Sequence, residues 1–257
     1  NKTKEFPLFW EYSHFTDDSV MTIAVAEALL DFQFREDEDI KSGLVDSMRK
    51  WGKKYPDAGY GRKFYHWLHS RHPEPYGSYG NGSAMRVSPV GWAFTSEQAT
   101  LDAAKRSAEC THNHHEGIKG AQATALCIYL ARHGATPQEI KQRIERDFGY
   151  DLSMTIDEIR PRYSWSGLDG VGNGGTCQGS VPQAIACALQ ATDFEDAIRN
   201  AISIGGDSDT IACITGGIAQ AMFGVPQWMQ DKALALLPQQ LRNIVTHFTA
   251  TISPSNS

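Results

Sequence analysis

Two short acidic clusters hold the carboxylate and hydroxyl side chains of this sequence that are best suited to bind cations. One is Thr16-Asp17-Asp18-Ser19 and the other is Gly205-Gly206-Asp207-Ser208-Asp209-Thr210, and each opens a long apolar run with helical spacing. Carboxylates bunched this tightly repel one another, so a fold that joined the clusters would need cations between them. Hard oxygen ligands favour Mg²⁺, Mn²⁺ or Ca²⁺ over zinc. The clusters therefore predict an oxygen-ligated metal centre.

Each cluster taken alone also has a simpler explanation. Thr16 can cap a helix N-terminus, with Asp17 and Asp18 in the first turn, where the helix dipole favours negative charge. A Gly-rich turn with an aspartate cap would account for Asp207 and Asp209. The metal hypothesis rests on what the clusters share, which is paired carboxylates, adjoining threonines and apolar helices behind them. Because they lie near opposite ends of the chain and no EF-hand loop is present, the predicted site is a tertiary one.

Composition narrows the class of protein. The chain of 257 residues is 41% hydrophobic and 21% charged, with a formal net charge of −6, which argues against binding driven by nucleic-acid phosphates. We find no apolar stretch of about 20 residues and no signal-like N-terminal run, so no membrane association is expected. The five cysteines include no C-x-x-C pair, which favours a reduced, cytoplasmic protein.

Helical spacing of apolar residues recurs along most of the sequence, and we find no convincing β-alternation. The pattern predicts an all-α single domain. Helices are expected at 17–33, 40–56, 60–69, 96–110, 118–133, 138–147, 180–192, 194–204 and 209–223, with an amphipathic tail from Gln227.

Two segments have the composition of loops. Residues 71–82 combine prolines and glycines with Ser78, Tyr79 and Asn81, and are too rich in glycine for a simple connector. Residues 152–179 contain six glycines and have low strand propensity, which predicts a long surface loop. Long loops in compact domains are often functional, so both are candidate binding elements.

Five blocks together resemble the ADP-ribosylglycohydrolase family, which includes the dinitrogenase reductase-activating glycohydrolases and the animal ADP-ribosyl-acceptor hydrolases. The blocks are F-T-D-D-S-V-M-T-I-A-V-A-E-A-L at 15–29, G-S-Y-G-N-G-S-A-M-R at 77–86, T-H-N-H-H-E-G at 111–117, S-V-P-Q-A-I at 180–185 and I-S-I-G-G-D-S-D-T-I-A at 202–212. They span nearly the whole chain in the family's order. The resemblance implies a compact single-domain orthogonal helical bundle over residues 1–257.

The same resemblance implies the site. Two Mg²⁺ or Mn²⁺ ions are expected, with the ligands Thr16, Asp17, Asp18, Asp207, Asp209 and Thr210. The implied substrate-binding residues are Gly77, Ser78, Tyr79, Gly80, Asn81 and Gly82 of the loop, with His112 facing the ligand and Met85 packing behind the loop. Without the family, His112, His114 and His115 would instead indicate a helix cap or a surface feature, since no fourth zinc ligand is evident.

The implied reaction is hydrolysis of the bond between C1 of the distal ribose and an acceptor atom of a modified protein. The expected partners are therefore an ADP-ribosylated protein and ADP-ribose. Cleavage builds positive charge on the ribose, which carboxylates can balance. Asp17, Asp18 and Asp209 are the expected catalytic residues, with Asp17 or Asp209 positioning the attacking water.

One departure and two alternatives accompany this hypothesis. Family members usually begin with a Gly-rich helix that carries a Gly-Asp pair, in some followed by a proton-transferring Glu. Glu5 and Glu11 do not match that position, so we expect the general acid/base upstream of Asn1. A non-catalytic ADP-ribose-binding or toxin-neutralising protein would tolerate loss of that group, and a dinuclear-metal nucleotide phosphohydrolase would use similar carboxylate pairs.

Overall fold

Helices make up nearly all of the regular structure in the computed structural model, which describes residues 1–34 and 40–252. The helices are α1 (Asp17–Asp31), α2 (Ile40–Lys54), α3 (Arg62–His69), α4 (Gly82–Met85), α5 (Ser88–Ala93), α6 (Glu97–Glu109), α7 (His115–Arg132), α8 (Pro137–Phe148), α9 (Ile156–Arg162), α10 (Cys177–Leu189), α11 (Phe194–Ile204), α12 (Ser208–Phe223), α13 (Gln227–Leu236) and α14 (Gln239–Ile252), and the strands are β1 (Tyr163–Ser164) and β2 (Gly167–Leu168). The all-α prediction is confirmed.

Two apolar clusters form the core. Met21 and Leu29 of α1 pack in the first cluster with Leu44 of α2. Ile140 of α8 and Ile185 of α10 belong to the second, which α7, α11 and α12 complete. Full burial of each such side chain contributes on the order of 1.5–3 kcal/mol. Helices α1 and α12, which carry the acidic clusters at their N-termini, are thus each anchored by a buried face.

Small residues let α12 pack closely among its neighbours α7, α10 and α11. A Cβ on Gly217 would lie 3.0 Å from Cβ of Ser88 in α5, a distance tighter than ordinary packing. Glycine lowers helix propensity by about 1 kcal/mol, so its use here favours close approach over local helix stability. The position of the second acidic cluster is fixed by this packing.

The segment 152–179 is not the loop without regular structure that we predicted. It contains α9, which begins with a capping box between Thr155 and Glu158, and the antiparallel pair β1–β2. Strands of two residues are too short to show alternation in a sequence, and Gly167, at φ +85, permits the tight turn. The short helices α4 and α5 were also not predicted, because four to six residues hold too few apolar repeats to be recognised.

No helix within the two described ranges combines the length and apolar character needed to cross a bilayer.

Candidate active site

The fold brings the two acidic clusters together. Burial raises the pKa of Asp17 to about 6, and repulsion from Asp209 and Asp207 adds to the shift. Burial likewise raises the pKa of Asp18 to about 7, again with repulsion from Asp209. Side chains near opposite ends of the sequence therefore share one electrostatic environment at the N-termini of α1 and α12.

Two threonines orient Asp18. The Thr16 hydroxyl donates a 3.0 Å hydrogen bond to Oδ2 of Asp18, and Thr210 also bonds to this carboxylate. Thr16 makes no side-chain bond to the α1 backbone, so it occupies the N-cap position without capping the helix. Oδ1 of Asp18 is buried and has no hydrogen-bond partner among the described residues. Helix capping alone therefore does not explain this cluster.

Asp207 joins the acidic clusters to the substrate-binding loop predicted at residues 77–82, called the Gly-rich loop below. Its Oδ2 accepts a 2.7 Å hydrogen bond from Nδ2 of Asn81. Burial raises the pKa of Asp207 to about 6, while the bond from Asn81 opposes the rise. When protonated, Asp207 donates to the Asp209 carboxylate, which also favours the neutral form. Repulsion from Asp209 also raises the pKa of Asp207, and a bound cation would offset that repulsion.

The donor set fits a hard cation in its chemistry. Buried carboxylates that repel one another, together with a buried oxygen that lacks a partner, are costly unless a positive charge is present. Across residues 1–34 and 40–252, however, no three His, Cys, Asp or Glu side chains already stand as a preformed ligand set. Thr16, Asp17, Asp18, Asp207, Asp209 and Thr210 remain the residues that could hold such ions after side-chain adjustment.

The Gly-rich loop is pinned to the start of α10. Gly80 forms an antiparallel bridge with Thr176, flanked by bonds from Cys177 N to Tyr79 O at 2.9 Å and from Asn81 N to Gly175 O at 3.1 Å. The Tyr79 ring remains 48% exposed and lies 5.2 Å from the ring of His114. At the loop's beginning, Gly77 N donates to Asn113 Oδ1 at 2.8 Å. The backbone is therefore held while the aromatic ring stays available to a ligand.

His112 lies behind the loop glycines. A Cβ on Gly82 would be 3.3 Å from its Nε2, which is tighter than ordinary packing, so the imidazole lies close against the loop backbone. Its Nδ1 is 2.6 Å from Oγ1 of Thr111, which accepts a bond from the buried Arg86. Burial, aided by the Arg86 charge, holds the pKa of His112 well below its usual range. His112 is therefore a neutral hydrogen-bonding group next to the loop.

Structural contacts account for three further residues of the family-like blocks. Met85 is buried, and its carbonyl accepts bonds from Thr22 and Cys213 behind the acidic clusters. His114 caps α7 by accepting from Glu116 N at 3.2 Å, as the alternative interpretation of the histidine group predicts. Arg86 bonds to Ser107 O and Thr111, so it supports the fold from within and does not reach the loop's ligand face.

Two residues near the acidic clusters were not predicted from the sequence. Asp17 N donates to Ala58 O at 2.8 Å, and a Cβ on Gly59 would lie 3.4 Å from Oδ1 of Asp17. The buried Tyr60 hydroxyl has no hydrogen-bond partner in the described part of the chain, and burial, aided by the Asp17 charge, raises its pKa. Gly59, at φ +107, could have been noticed as a turn glycine, whereas Tyr60 was assigned to a helix.

A separate apolar cavity of about 1060 Å³ reaches Asp18. Its lining includes Phe15, Ile23 and Cys213, but not the residues of the Gly-rich loop. The cavity is thus separate from the surface formed by the Gly-rich loop, although both lie next to the acidic clusters.

Comparisons with known proteins identify the family to which the chain is similar. The sequence model described as ADP-ribosylglycohydrolase matches residues 3–253. ADP-ribosylhydrolase ARH3 of Homo sapiens is 30% identical over 276 residues, covering 86% of this chain and 75% of that protein. ADP-ribosylarginine hydrolase Tri1 of Pseudomonas putida (strain GB-1) is 26% identical over 175 residues, covering 63% of this chain and 44% of that protein.

A solved structure described as an ADP-ribosylglycohydrolase-related protein complex has the same fold. It matches with a TM-score of 0.66 at 23% sequence identity, covering 96% of this chain and 83% of that chain. The chain belongs to the ADP-ribosylglycohydrolase family, as the sequence blocks indicated. At the level of the family, its function is the hydrolytic removal of ADP-ribose.

Proposed function

We propose that this protein is a metal-dependent hydrolase that removes ADP-ribose from a modified protein side chain, cleaving the bond at C1 of the distal ribose. The observation that carries the proposal is the Asn81–Asp207 hydrogen bond of 2.7 Å, which fastens the Gly-rich loop to the acidic clusters. A ligand held by the loop would therefore present one end to four carboxylates. ADP-ribose, with a base at one end and the reacting ribose at the other, suits that layout.

In this proposal the loop binds the ADP part of the substrate. The half-exposed Tyr79 ring stacks on the adenine, and loop backbone N–H groups bind the diphosphate. Neutral His112 adds a hydrogen bond from behind the loop. Because the loop backbone is bridged to α10, little of it must be ordered on binding, which favours affinity.

The acidic clusters would carry the chemistry. The residues that would hold two Mg²⁺ or Mn²⁺ ions are Thr16, Asp17, Asp18, Asp207, Asp209 and Thr210. Such ions would lower the pKa of a water and bind the ribose hydroxyls. Asp17 or Asp209 positions the attacking water, and the proton that this water loses is matched by the proton that the departing acceptor atom takes up. The remaining carboxylates stabilise positive charge on the ribose as the bond to the acceptor breaks.

The expected partner is an ADP-ribosylated protein, and ADP-ribose is the product. All five cysteines are free thiols, which supports a reducing compartment, and we propose the cytoplasm.

The direct test is an incubation of the protein with ADP-ribosylated arginine and serine peptides, in Mg²⁺, in Mn²⁺ and in EDTA. Chromatography with mass detection should find free ADP-ribose from at least one conjugate, and only when metal is present. Release of AMP or phosphate would favour a nucleotide phosphohydrolase. Tight binding without turnover would favour a non-catalytic ADP-ribose-binding protein.

A further inference from the structure

The β1–β2 hairpin carries an exposed tryptophan beside the candidate site. Tyr163 pairs with Leu168 and Ser164 pairs with Gly167, so Trp165 stands in the two-residue turn. Its side chain is 59% exposed, although an indole is large and apolar. An ion pair between Arg162 and Asp169, at 2.9 Å from Nε to Oδ1, closes the base of the hairpin. The hairpin therefore holds the turn in place, and the turn exposes the indole to solvent.

One side of the turn contacts Gly174 and Gly175, which lie next to the Gly-rich loop. Gly174 N donates a 2.8 Å hydrogen bond to Trp165 O. A Cβ on Gly175 would lie 3.7 Å from Cζ2 and Cη2 of the indole, which is van der Waals distance. Gly175 O in turn accepts from Asn81 N at 3.1 Å. The indole thus lies next to the backbone that positions Asn81.

The other side of the hairpin packs on the turn that leads into Asp207. A Cβ on Gly206 would lie 2.5 Å from Cε1 of Tyr163 and 3.3 Å from Ser164 O, so the hairpin occupies the space that a side chain at position 206 would need. Since Asn81 also bonds to Asp207, the hairpin borders both partners of that hydrogen bond. Trp165 is therefore attached to the acidic end of the candidate site.

Tyr79 and Trp165 lie at opposite ends of the loop's bridge to Thr176. Around the Gly80–Thr176 bridge, Tyr79 pairs with Cys177, whereas Asn81 pairs with Gly175, the neighbour of Trp165. If Tyr79 binds the base, the reacting ribose lies toward Asp207, and the group beyond the scissile bond lies toward the hairpin.

We propose that Trp165 is a specificity-determining residue that packs against the acceptor side of the substrate, meaning the modified side chain and its peptide neighbours. The proposal rests on the proposed function. An indole face offers broad apolar contact and also attracts cationic groups such as a guanidinium. Because the ring lies at the Asn81 end of the loop's bridge and Tyr79 at the other end, its removal should affect binding of the conjugate more than binding of the product ADP-ribose.

The test compares Trp165→Ala and Trp165→Phe with the wild-type protein. For whichever peptide conjugate the wild type hydrolyses, Trp165→Ala should lower kcat/KM about tenfold, mainly through KM, and Trp165→Phe should restore most of it. The Kd for free ADP-ribose, measured by calorimetry, should stay within about twofold. Trp228→Ala is the matched control, because Trp228 is a 45% exposed tryptophan on α13, and it should keep kcat/KM within about twofold.

Three results would overturn the inference. An equal loss of ADP-ribose affinity in Trp165→Ala would assign the indole to the ADP-ribose part. An unchanged kcat/KM would leave it without a role in recognition. A lowered Tm with no recovery in Trp165→Phe would make it structural. If the wild type hydrolyses no conjugate, the proposed function fails first and this proposal fails with it.

Discussion

Nδ2 of Asn81 donates a 2.7 Å hydrogen bond to Oδ2 of Asp207, across 126 residues of sequence. The same amide lies 3.4 Å from Gly174 O, so Asn81 is held between the acidic end of the site and the segment next to the hairpin. Asn81 thereby aligns a candidate metal ligand with the candidate substrate loop.

Replacing Asn81 should therefore impair the site more than the fold. Asn81→Ala removes a hydrogen bond to a charged group, which is worth about 1.5–3 kcal/mol, so kcat/KM should fall roughly 10- to 100-fold. Mn²⁺ affinity, measured by calorimetry, should weaken as well, because the pKa of Asp207 rises without the donor. Asn243→Ala on α14 is the control and should leave both quantities unchanged. Full activity in Asn81→Ala would show that the bond has no functional role.

Divalent cations should stabilise the protein more at pH 8 than at pH 5. Burial raises the pKa values of Asp17, Asp18 and Asp207 to between about 6 and about 7, so the metal-free folded state binds more protons than the unfolded state between about pH 4 and pH 7. These groups therefore lower stability as the pH rises through that window. A cation relieves the cost once the carboxylates are ionised.

Thermal unfolding, measured at several pH values with and without Mg²⁺, tests the predicted pH dependence of cation stabilisation. At saturating Mg²⁺ the Tm should increase by about 5–10 °C at pH 8 and by much less at pH 5. Asp18→Asn should reduce the increase, whereas Asp231→Asn on α13 should not. An increase that is equal at the two pH values would argue against cation binding by these carboxylates.

Lys2 supports the turn that precedes Asp207. Its Nζ donates to the carbonyls of Ile204 and Tyr163, and to Arg160 O at 2.8 Å, which joins the end of α11 to the hairpin. Lys2→Met should lower the free energy of unfolding in urea by about 1–3 kcal/mol, because three carbonyls lose a charged donor. Lys53→Met on the exposed face of α2 should change it by less than about 0.5 kcal/mol. Equal values for the two variants would show that the Lys2 contacts add nothing.

Gly206 should resist substitution for two separable reasons. Its φ of +72 strains any other residue, and an added Cβ would lie 2.5 Å from Cε1 of Tyr163. Gly134 has φ +82 but nothing within 4 Å of an added Cβ, so Gly134→Ala measures the strain alone. That strain is about 1–2 kcal/mol, and Gly206→Ala should cost about 1–3 kcal/mol more in urea unfolding. A difference near zero would mean that the hairpin moves away freely.

Local patterns allowed most of the long helices to be predicted, but not the short helices α4, α5 and α9 or the contacts that organise the site. Helix α11 (Phe194–Ile204) was predicted with its observed bounds, because its apolar spacing is strong and glycine follows it. The family blocks indicated which carboxylates would lie together. By contrast, Lys2 donates to carbonyls about 160 residues away. Every residue has a main-chain carbonyl, so the sequence does not indicate which ones a side chain will contact. The hairpin with Trp165 was missed because its strands have only two residues each.

A metal-dependent centre at the acidic clusters is tested most directly by the effect of Asp207→Asn on hydrolysis of an ADP-ribosylated peptide in saturating Mg²⁺ or Mn²⁺. The substitution keeps the side-chain shape but removes one of the charges that a cation would bind. Release of free ADP-ribose should fall by at least about 100-fold, while the variant stays folded and still binds ADP-ribose through the loop. Undiminished release by Asp207→Asn, or equal release by the wild type in EDTA, would contradict a metal-dependent centre at the acidic clusters.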